Sequence, residues 1–487
     1  MHSDIRNTAP QVLWNHFADL NAVPRPSKKE ARVIAFMVNF GKQLGLETSV
    51  DAIQNVLIKK PATKGMENRK KVVLQSHLDM VHQKNEGTDF DFENEGIQME
   101  IKGEWIYAKG TTLGADNGIG VAAIMSILSS DTIAHPAIEA LFTIDEETGM
   151  TGAMELQPNV LTGDILLNLD TEDDDEISIG CAGGIDITAT RTFKEFDIED
   201  PSIAYHIRVH GLQGGHSGMD IHKGFGNANK LMNRILHDGY ENFQLSIASL
   251  EGGTLRNAIP RESTAHIVIP KQFQEAFEYE FKLQVAALKK EFQPIEKDLE
   301  ITISETALPK KVMDIDCQKD LVRTLYAAHN GVYTMNASIG DLVETSNNLA
   351  SVKVLNGTIQ IACLTRSFSE SGKMDLCNAL RATFELGSFD VTISGDYPGW
   401  EPNTTTEILK VLEGTYKRMF DEAPKVMACH AGLECGILGT HYPKMEMISF
   451  GPTIKGAHSP EERVSIPSTQ KFWTFLQEIL KNIPLAR

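Results

Sequence analysis

A chain of 487 residues exceeds what one hydrophobic core fills, so two or three domains are expected. A hydrophobic share of 41% with 23% charged residues is ordinary for a globular protein. The formal net charge of −20 argues against nucleic acid or an anionic membrane as partner, since both are polyanions. The opening segment lacks the basic-then-apolar order of a signal peptide, and no apolar run approaches the roughly 18 residues of a membrane span. The six cysteines form no CxxC pair and read as reduced thiols of a cytoplasmic protein.

Residues 10–45 read as helical, interrupted by the turn VPRPS at 23–27. KVVLQSHLDMV (71–81) reads as a buried strand. The Gly-rich loop KGTTLGADNGIG (109–120) runs into VAAIMSILSS, apolar nearly all round and therefore a buried helix. AIEALFTI (137–144), DILLNLD (164–170) and MEMISFG (445–451) are further short apolar strands, and KFWTFLQEILKNI closes the chain as a helix. Strands alternating with helices predict an α/β fold with a mostly parallel sheet and helices on both faces. Between about 184 and 400 the helices are longer and more polar, as in KQFQEAFEYEFKLQVAALKKEF (271–292), which stands between the strands HIVIP and ITISE. TIQIACLTRSF, KMDLCNALRATFEL and FDVTISG repeat that strand–helix–strand order, and Asn356-Gly357 marks a hairpin. We therefore expect an inserted α/β lid domain at 184–399, built of two ferredoxin-like halves, between outer-domain segments 1–183 and 400–487. GDYPGWEPN (395–403) is the expected return linker.

The chemistry-bearing residues fall where the apolar strands of the outer domain stop. KVVLQSHLD ends in His77 and Asp79, ALFTIDEE in Glu146 and Glu147, and DILLNLD in Asp170, while MEMISFG leads to His458 in GAHSPEE. In open α/β sheets, ligands bind beyond the carboxyl ends of the strands, so parallel strands bring these groups to one rim. Asp116, at the start of the buried helix, can reach the same rim and bridge two cations with its two oxygens. Taken singly, a strand-end His is an ordinary structural residue, Asp-Glu-Glu a solvated loop, and Asp116 a helix cap. Together, two imidazoles and three carboxylates form an N/O set suited to zinc, manganese or cobalt. Glu146, next to a ligand, suits a general base, and Asp79 lies on the same strand face as His77 to accept its other ring N–H.

SHLDMV, GADNGIG, DEETG, NLD and GAHSPEE occur in the order and approximate spacing of the co-catalytic zinc exopeptidases. The chain resembles that family, which includes glutamate carboxypeptidase, aminoacylase and carnosinase, along essentially its whole length. GTTLGADNGIG, GCAGGID, GGHSG, GGTLRNAIPRE, HAGLECG and GPTIKGAHSP are similar to its bacterial dipeptidase branch. The resemblance implies two zinc ions per subunit, with manganese or cobalt as substitutes. His77, Asp116 and Asp170 would hold one ion, and Asp116, Glu147 and His458 the other. It makes Glu146 the base and Asp79 the supporting residue. Asp at position 170, where carboxypeptidases and deacylases of the family carry Glu, leans towards dipeptidases. His216 in GGHSG matches a lid histidine that contacts the substrate carbonyl, in some relatives from a partner subunit. Asn257 and Arg366 would hold the substrate's carboxylate or backbone, and Glu434 its amino group. The implied partner is a dipeptide, Xaa-His and β-alanyl-histidine included, and the implied assembly a homodimer through the lid. The inserted domain is longer than is usual in the family, which leaves the dimer geometry open. An N-acyl amino acid deacylase or a tripeptidase is the alternative on the same scaffold.

Three readings from other classes fit less well. Gly118 to Ala123 matches the GxGxxA of a nicotinamide dehydrogenase, but the preceding strand WIYAK stands several residues too far back and no acidic residue ends a second strand at the expected distance. GGHSG resembles a nucleophile elbow, yet Met219 stands where GxSxG requires glycine. A non-catalytic metal-binding protein would need neither Glu146 nor Asp79.

Overall fold

The computed structural model describes residues 3–198 and 201–486. The chain divides into two compact units, one of Met1–Cys181, Trp400–Ala428 and Leu433–Arg487, the other of Ala182–Gly399 and Cys429–Gly432. Among the described residues no helix is long and apolar enough to cross a membrane.

The first unit is built on an eight-stranded sheet. Its elements include helix α1 (Gln11–Asn21), strands β1 (Glu47–Val50), β2 (Val56–Lys60) and β3 (Val72–His77), and helix α2 (Ala115–Ser129). Strands β4 (Ile138–Thr143), β5 (Ile165–Asn168) and β6 (Glu176–Cys181) follow. The order is β1-β2-β4-β3-β5, then Glu446–Ser449, β6 and Lys425–Cys429. The centre, from β4 through β3 and β5 to Glu446–Ser449, is parallel, whereas β2 joins β4 and β6 joins Glu446–Ser449 antiparallel. Period-2 alternation sends successive apolar residues to opposite faces. Val72, Leu74, Phe142, Ile165, Leu167 and Ile448 join the core beneath α1, α2 and the C-terminal helix Ile466–Lys481. Val73, Leu141, Leu166 and Met447 join a second core with Leu156, Ile437 and Leu438. Helices thus cover both faces, as the continuous apolar runs require.

Helix α2 is buried at every position from Asn117 to Leu128 and packs on α1 and β3. Gly120 permits that approach. A Cβ there would lie 2.0 Å from Asn117 Oδ1, 2.5 Å from Ser76 Oγ and 2.7 Å from the Leu169 carbonyl oxygen. Ser76 and Leu169 directly precede His77 and Asp170, so the contact sits where two candidate ligands leave their strands. Gly120→Ala is expected to cost about 1–3 kcal/mol through overpacking, read from the urea midpoint.

A small antiparallel sheet places the remaining loops. Trp105–Ala108 pairs with Met99–Lys102 and with Arg463–Ser465, which pairs in turn with Ile454–Lys455. Trp105–Ala108 leads into the loop carrying Asp116, and the turn between Ile454–Lys455 and Arg463–Ser465 carries His458. Pairing of Arg463 with Tyr107 therefore sets the two loops side by side.

The second unit holds strands β7 (Gly183–Thr192) and β8 (Ser202–His210), helix α3 (Ala228–Phe243), strands β9 (Ser246–Gly252) and β10 (Ser263–Pro270), helix α4 (Gln274–Phe292) and strand β11 (Glu300–Thr306). It continues with helix α5 (Ile315–Ala327), strands β12 (Val343–Leu355) and β13 (Thr358–Ser367), helix α6 (Glu370–Leu386) and strand β14 (Asp390–Tyr397). The sheet runs β11-β8-β10-β9-β12-β13-β7-β14, with Gly331–Met335 paired onto β12. Each half is strand–helix–strand–strand–helix–strand: β8-α3-β9-β10-α4-β11 in the first, β7-α5-β12-β13-α6-β14 in the second. Each has its fourth strand beside its first, then its third, then its second, which is the ferredoxin-like order expected from the repeated pattern. The first half is inserted after the first strand of the second. The two join at β9 and β12, with Leu250 opposite Val354, so each covers an edge the other would expose. Asn356 and Gly357, at φ 52° and 72°, make the tight turn between β12 and β13. Trp400 re-enters the first unit by exchanging backbone hydrogen bonds with Cys181 at 2.8 and 3.0 Å.

Candidate metal centre

The parallel strands deliver their carboxyl ends to one rim. His77 closes β3, Glu146 and Glu147 follow β4, and Asp170 follows β5. Asp116 stands in the first turn of α2, in non-helical conformation, and its peptide bond to Asn117 is cis. Its two oxygens face different histidines. Oδ1 lies 3.1 Å from His77 Nε2, and Oδ2 lies 3.2 Å from His458 Nε2. Asp170 Oδ1 is 3.5 Å from His77 Nε2, and Glu147 Oε2 is 3.0 Å from His458 Nε2. One oxygen or nitrogen of each of His77, Asp116 and Asp170 lies within 4.8 Å of the others, and the same holds for Asp116, Glu147 and His458. Asp116 belongs to both groups.

The electrostatics show how much positive charge this rim calls for. Burial opposes a charge on His77, yet Asp170, Asp116 and Asp79 raise its pKa well above the ordinary imidazole value. Hydrogen bonds to Asp116 and Glu147 push His458 up to about 11. Burial, with Asp116 adding repulsion, raises both Glu147 and Asp170. Divalent cations at this rim would offset the carboxylates. The donors fit such ions on two further counts. They are nitrogens and oxygens with no thiolate, and Glu147 Oε1 is buried without a hydrogen-bond partner.

Asp79 binds the parts together. It is 0% exposed, and its Oδ1 lies 3.3 Å from His77 Nδ1. The same carboxylate accepts the Ser27 hydroxyl at 2.8 Å and the backbone N–H groups of Glu146 and Glu147 at 3.0 and 3.3 Å. With Nδ1 turned to Asp79, His77 presents Nε2 to the rim. The three acids of Asp-Glu-Glu have different surroundings. Asp145 is buried and takes Lys28 and the hydroxyls of Thr148 and Thr151, a structural role that local sequence did not signal. Glu147 meets His458. Glu146 places a carboxylate oxygen within 4.8 Å of the ligand atoms of His77 and Glu147.

Glu434 is fully buried below β3 and β4. Its Oε2 accepts Gln75 Nε2 at 2.6 Å and Thr143 Oγ1 at 2.7 Å, while Oε1 has no hydrogen-bond partner. Burial pushes its pKa up to about 8.

The other expected residues gather in the second unit. His216 pairs with Ala258 in a two-residue ladder, and Ser217 N–H donates to the Asn257 carbonyl at 2.8 Å, so GGHSG and LRNAIP lie together. His216 Nδ1 accepts the N–H groups of Gly218 and Met219 at 3.2 and 3.0 Å, which leaves the proton of the neutral ring on Nε2. Arg366 is 4% exposed; its Nε donates to Ser217 Oγ at 3.4 Å and Nη1 to Tyr397 Oη at 2.7 Å. His430, which sequence reasoning passed over within HAGLECG, joins this group. Its Nε2 lies 2.8 Å from Ser346 Oγ, and burial, with Arg366 adding repulsion, lowers its pKa to about 3.

The fold of the two units is that of a known class of peptidases. The model of peptidase family M20/M25/M40 matches residues 73–482, and the chain belongs to that family. It is 41% identical over 482 residues to the cytosol non-specific dipeptidase of Escherichia coli (strain K12), across 99% of each protein. Its structure matches the crystal structure of aminoacylhistidine dipeptidase from Vibrio alginolyticus with a TM-score of 0.91 at 43% identity, over 100% of this chain and 99% of that one. The fold is shared more distantly with aminopeptidase PepT from Bacillus cereus ATCC 10987, at TM-score 0.57 and 16% identity, over 98% and 99% of the two chains.

Proposed function

We propose that this chain is a metal-dependent dipeptidase that hydrolyses the peptide bond of dipeptides, aminoacyl-histidine dipeptides among them. The observation that carries the reading is Asp116, whose two oxygens each address a different histidine–carboxylate pair. His77 and Asp170 would hold one zinc ion, Glu147 and His458 the other, with Asp116 shared. Two such ions supply Lewis acidity, lowering the pKa of water and polarising the scissile carbonyl. Glu146 takes the proton of the attacking water and returns it to the leaving amine. Asp79 keeps His77 in the tautomer that offers Nε2. His216, with its proton on Nε2, donates to the carbonyl oxygen as charge develops there. Arg366 takes the substrate carboxylate, Asn257 its backbone, and Glu434, through Oε1, its ammonium group. Fixed charges at both ends of a short substrate exclude longer peptides.

A cytoplasmic homodimer joined through the second unit completes the proposal, with β11 and β14 as the outer edges of that sheet. The test is an activity panel on zinc-reconstituted protein using β-alanyl-histidine, ordinary dipeptides, tripeptides and N-acyl amino acids. Turnover concentrated on dipeptides is expected. Cleavage confined to N-acyl amino acids or to tripeptides would overturn the assignment.

A further inference from the structure

We propose that Glu462 is a positioning residue that, with Arg25 behind it, sets the Asp116 loop so that both oxygens of Asp116 reach their ions. The inference rests on the metal-centre reading above and concerns residues outside the ligand set.

Glu462 is 2% exposed, and its carboxylate accepts four consecutive backbone N–H groups. Oε2 takes Leu113 and Gly114 at 2.6 and 2.9 Å; Oε1 takes Ala115 and Asp116 at 2.7 and 3.3 Å. These N–H groups open helix α2, where the first turn has no intrahelical acceptors. A local Ser, Thr, Asp or Asn ordinarily supplies the acceptor, but here the N-cap is Gly114 at φ 68°, with no side chain to offer. The acceptor comes instead from 346 residues further along the chain, in the same turn as His458. One carboxylate therefore fastens the loop of the shared ligand to the loop of a terminal ligand.

Arg25 holds the opposite side. Its guanidinium is buried, with Nη2 donating to the Gly114 carbonyl at 2.6 Å and Nη1 to the carbonyls of Leu78 and Asp79, each at 3.1 Å. Those two residues directly follow His77. Gly114 is thus gripped at its N–H by an anion and at its carbonyl by a cation. A Cβ on Gly114 would stand 2.5 Å from Arg25 Nη2, so the loop lies directly on the arginine. Three segments that carry His77, Asp116 and His458 are bound to one another through two buried side chains, and neither side chain is among the candidate ligands.

A carboxylate that only stabilised the helix end would influence unfolding and leave the ions unaffected. The discriminating variant is Glu462→Gln, which keeps the shape but turns an NH2 group towards two of the four donors. Metal-stripped wild type and variant are titrated with Co2+ in competition with a chromophoric chelator, and the visible absorption of bound Co2+ is recorded. Leu412→Ala, a core change in the same unit, serves as a control for lost stability. For Glu462→Gln the affinity is expected to fall by about 10–100-fold with an altered Co2+ spectrum. The control is expected to melt lower with affinity and spectrum unchanged. Wild-type affinity and spectrum in Glu462→Gln would overturn the positioning role while leaving the metal centre standing. Absence of stoichiometric Co2+ in the wild type would overturn both. If Glu462→Gln does not fold, Glu462→Asp, too short to span all four donors, decides by the same two readouts.

Discussion

Glu146→Gln is expected to retain both ions and lose about 10²–10⁴-fold in kcat, the range typical of a missing general base. The substitution keeps the side chain's volume and removes only its capacity to accept a proton. Burial raises the pKa of Glu146 well above the ordinary carboxylate value; the carboxylates of Asp170, Glu147 and Glu434 add to this, while His77 opposes it. A base must take the proton from water and give it up to the leaving amine, and the amide of Gln can do neither. Elemental analysis of the purified variant beside single-turnover kinetics separates the two properties. Full metal content with near wild-type turnover would place the base elsewhere.

Asp116→Ala is expected to release both ions, whereas Asp170→Ala and Glu147→Ala release one each. The difference follows from geometry, since Asp116 turns Oδ1 to His77 and Oδ2 to His458. Thermal denaturation offers a readout independent of turnover. An ion present at 1,000 times its Kd stabilises the folded state by about 4 kcal/mol, so loaded wild type should melt well above the chelated form. Asp116→Ala should melt at one temperature with or without metal, and should show no dipeptide hydrolysis. A metal-dependent rise in Tm of that variant would remove Asp116 from its shared position.

Much of the site could be read locally because strand direction and strand ends are short-range properties. KVVLQSH, EALFTIDEE and ILLNLD each announce a buried strand followed at once by a ligand type, and parallel pairing then makes the rim unavoidable. The double-ferredoxin unit was legible for the same reason, since its strand–helix–strand pattern is written twice in periodicity and Asn356-Gly357 marks the turn. Family motifs supplied the pairing of ligands around Asp116, which local pattern left open.

What the linear chain could not disclose is which distant groups satisfy one another. Asp145, Glu146 and Glu147 are equivalent as letters; only packing sends the first to Lys28 and two threonines, and the third to His458. Glu462 stood inside a recognised motif without an apparent task, because its four partners belong to a loop 346 residues earlier. Hydrogen bonding is directional and acts over about 3 Å, so its partners are chosen by the folded arrangement and leave no mark in local periodicity.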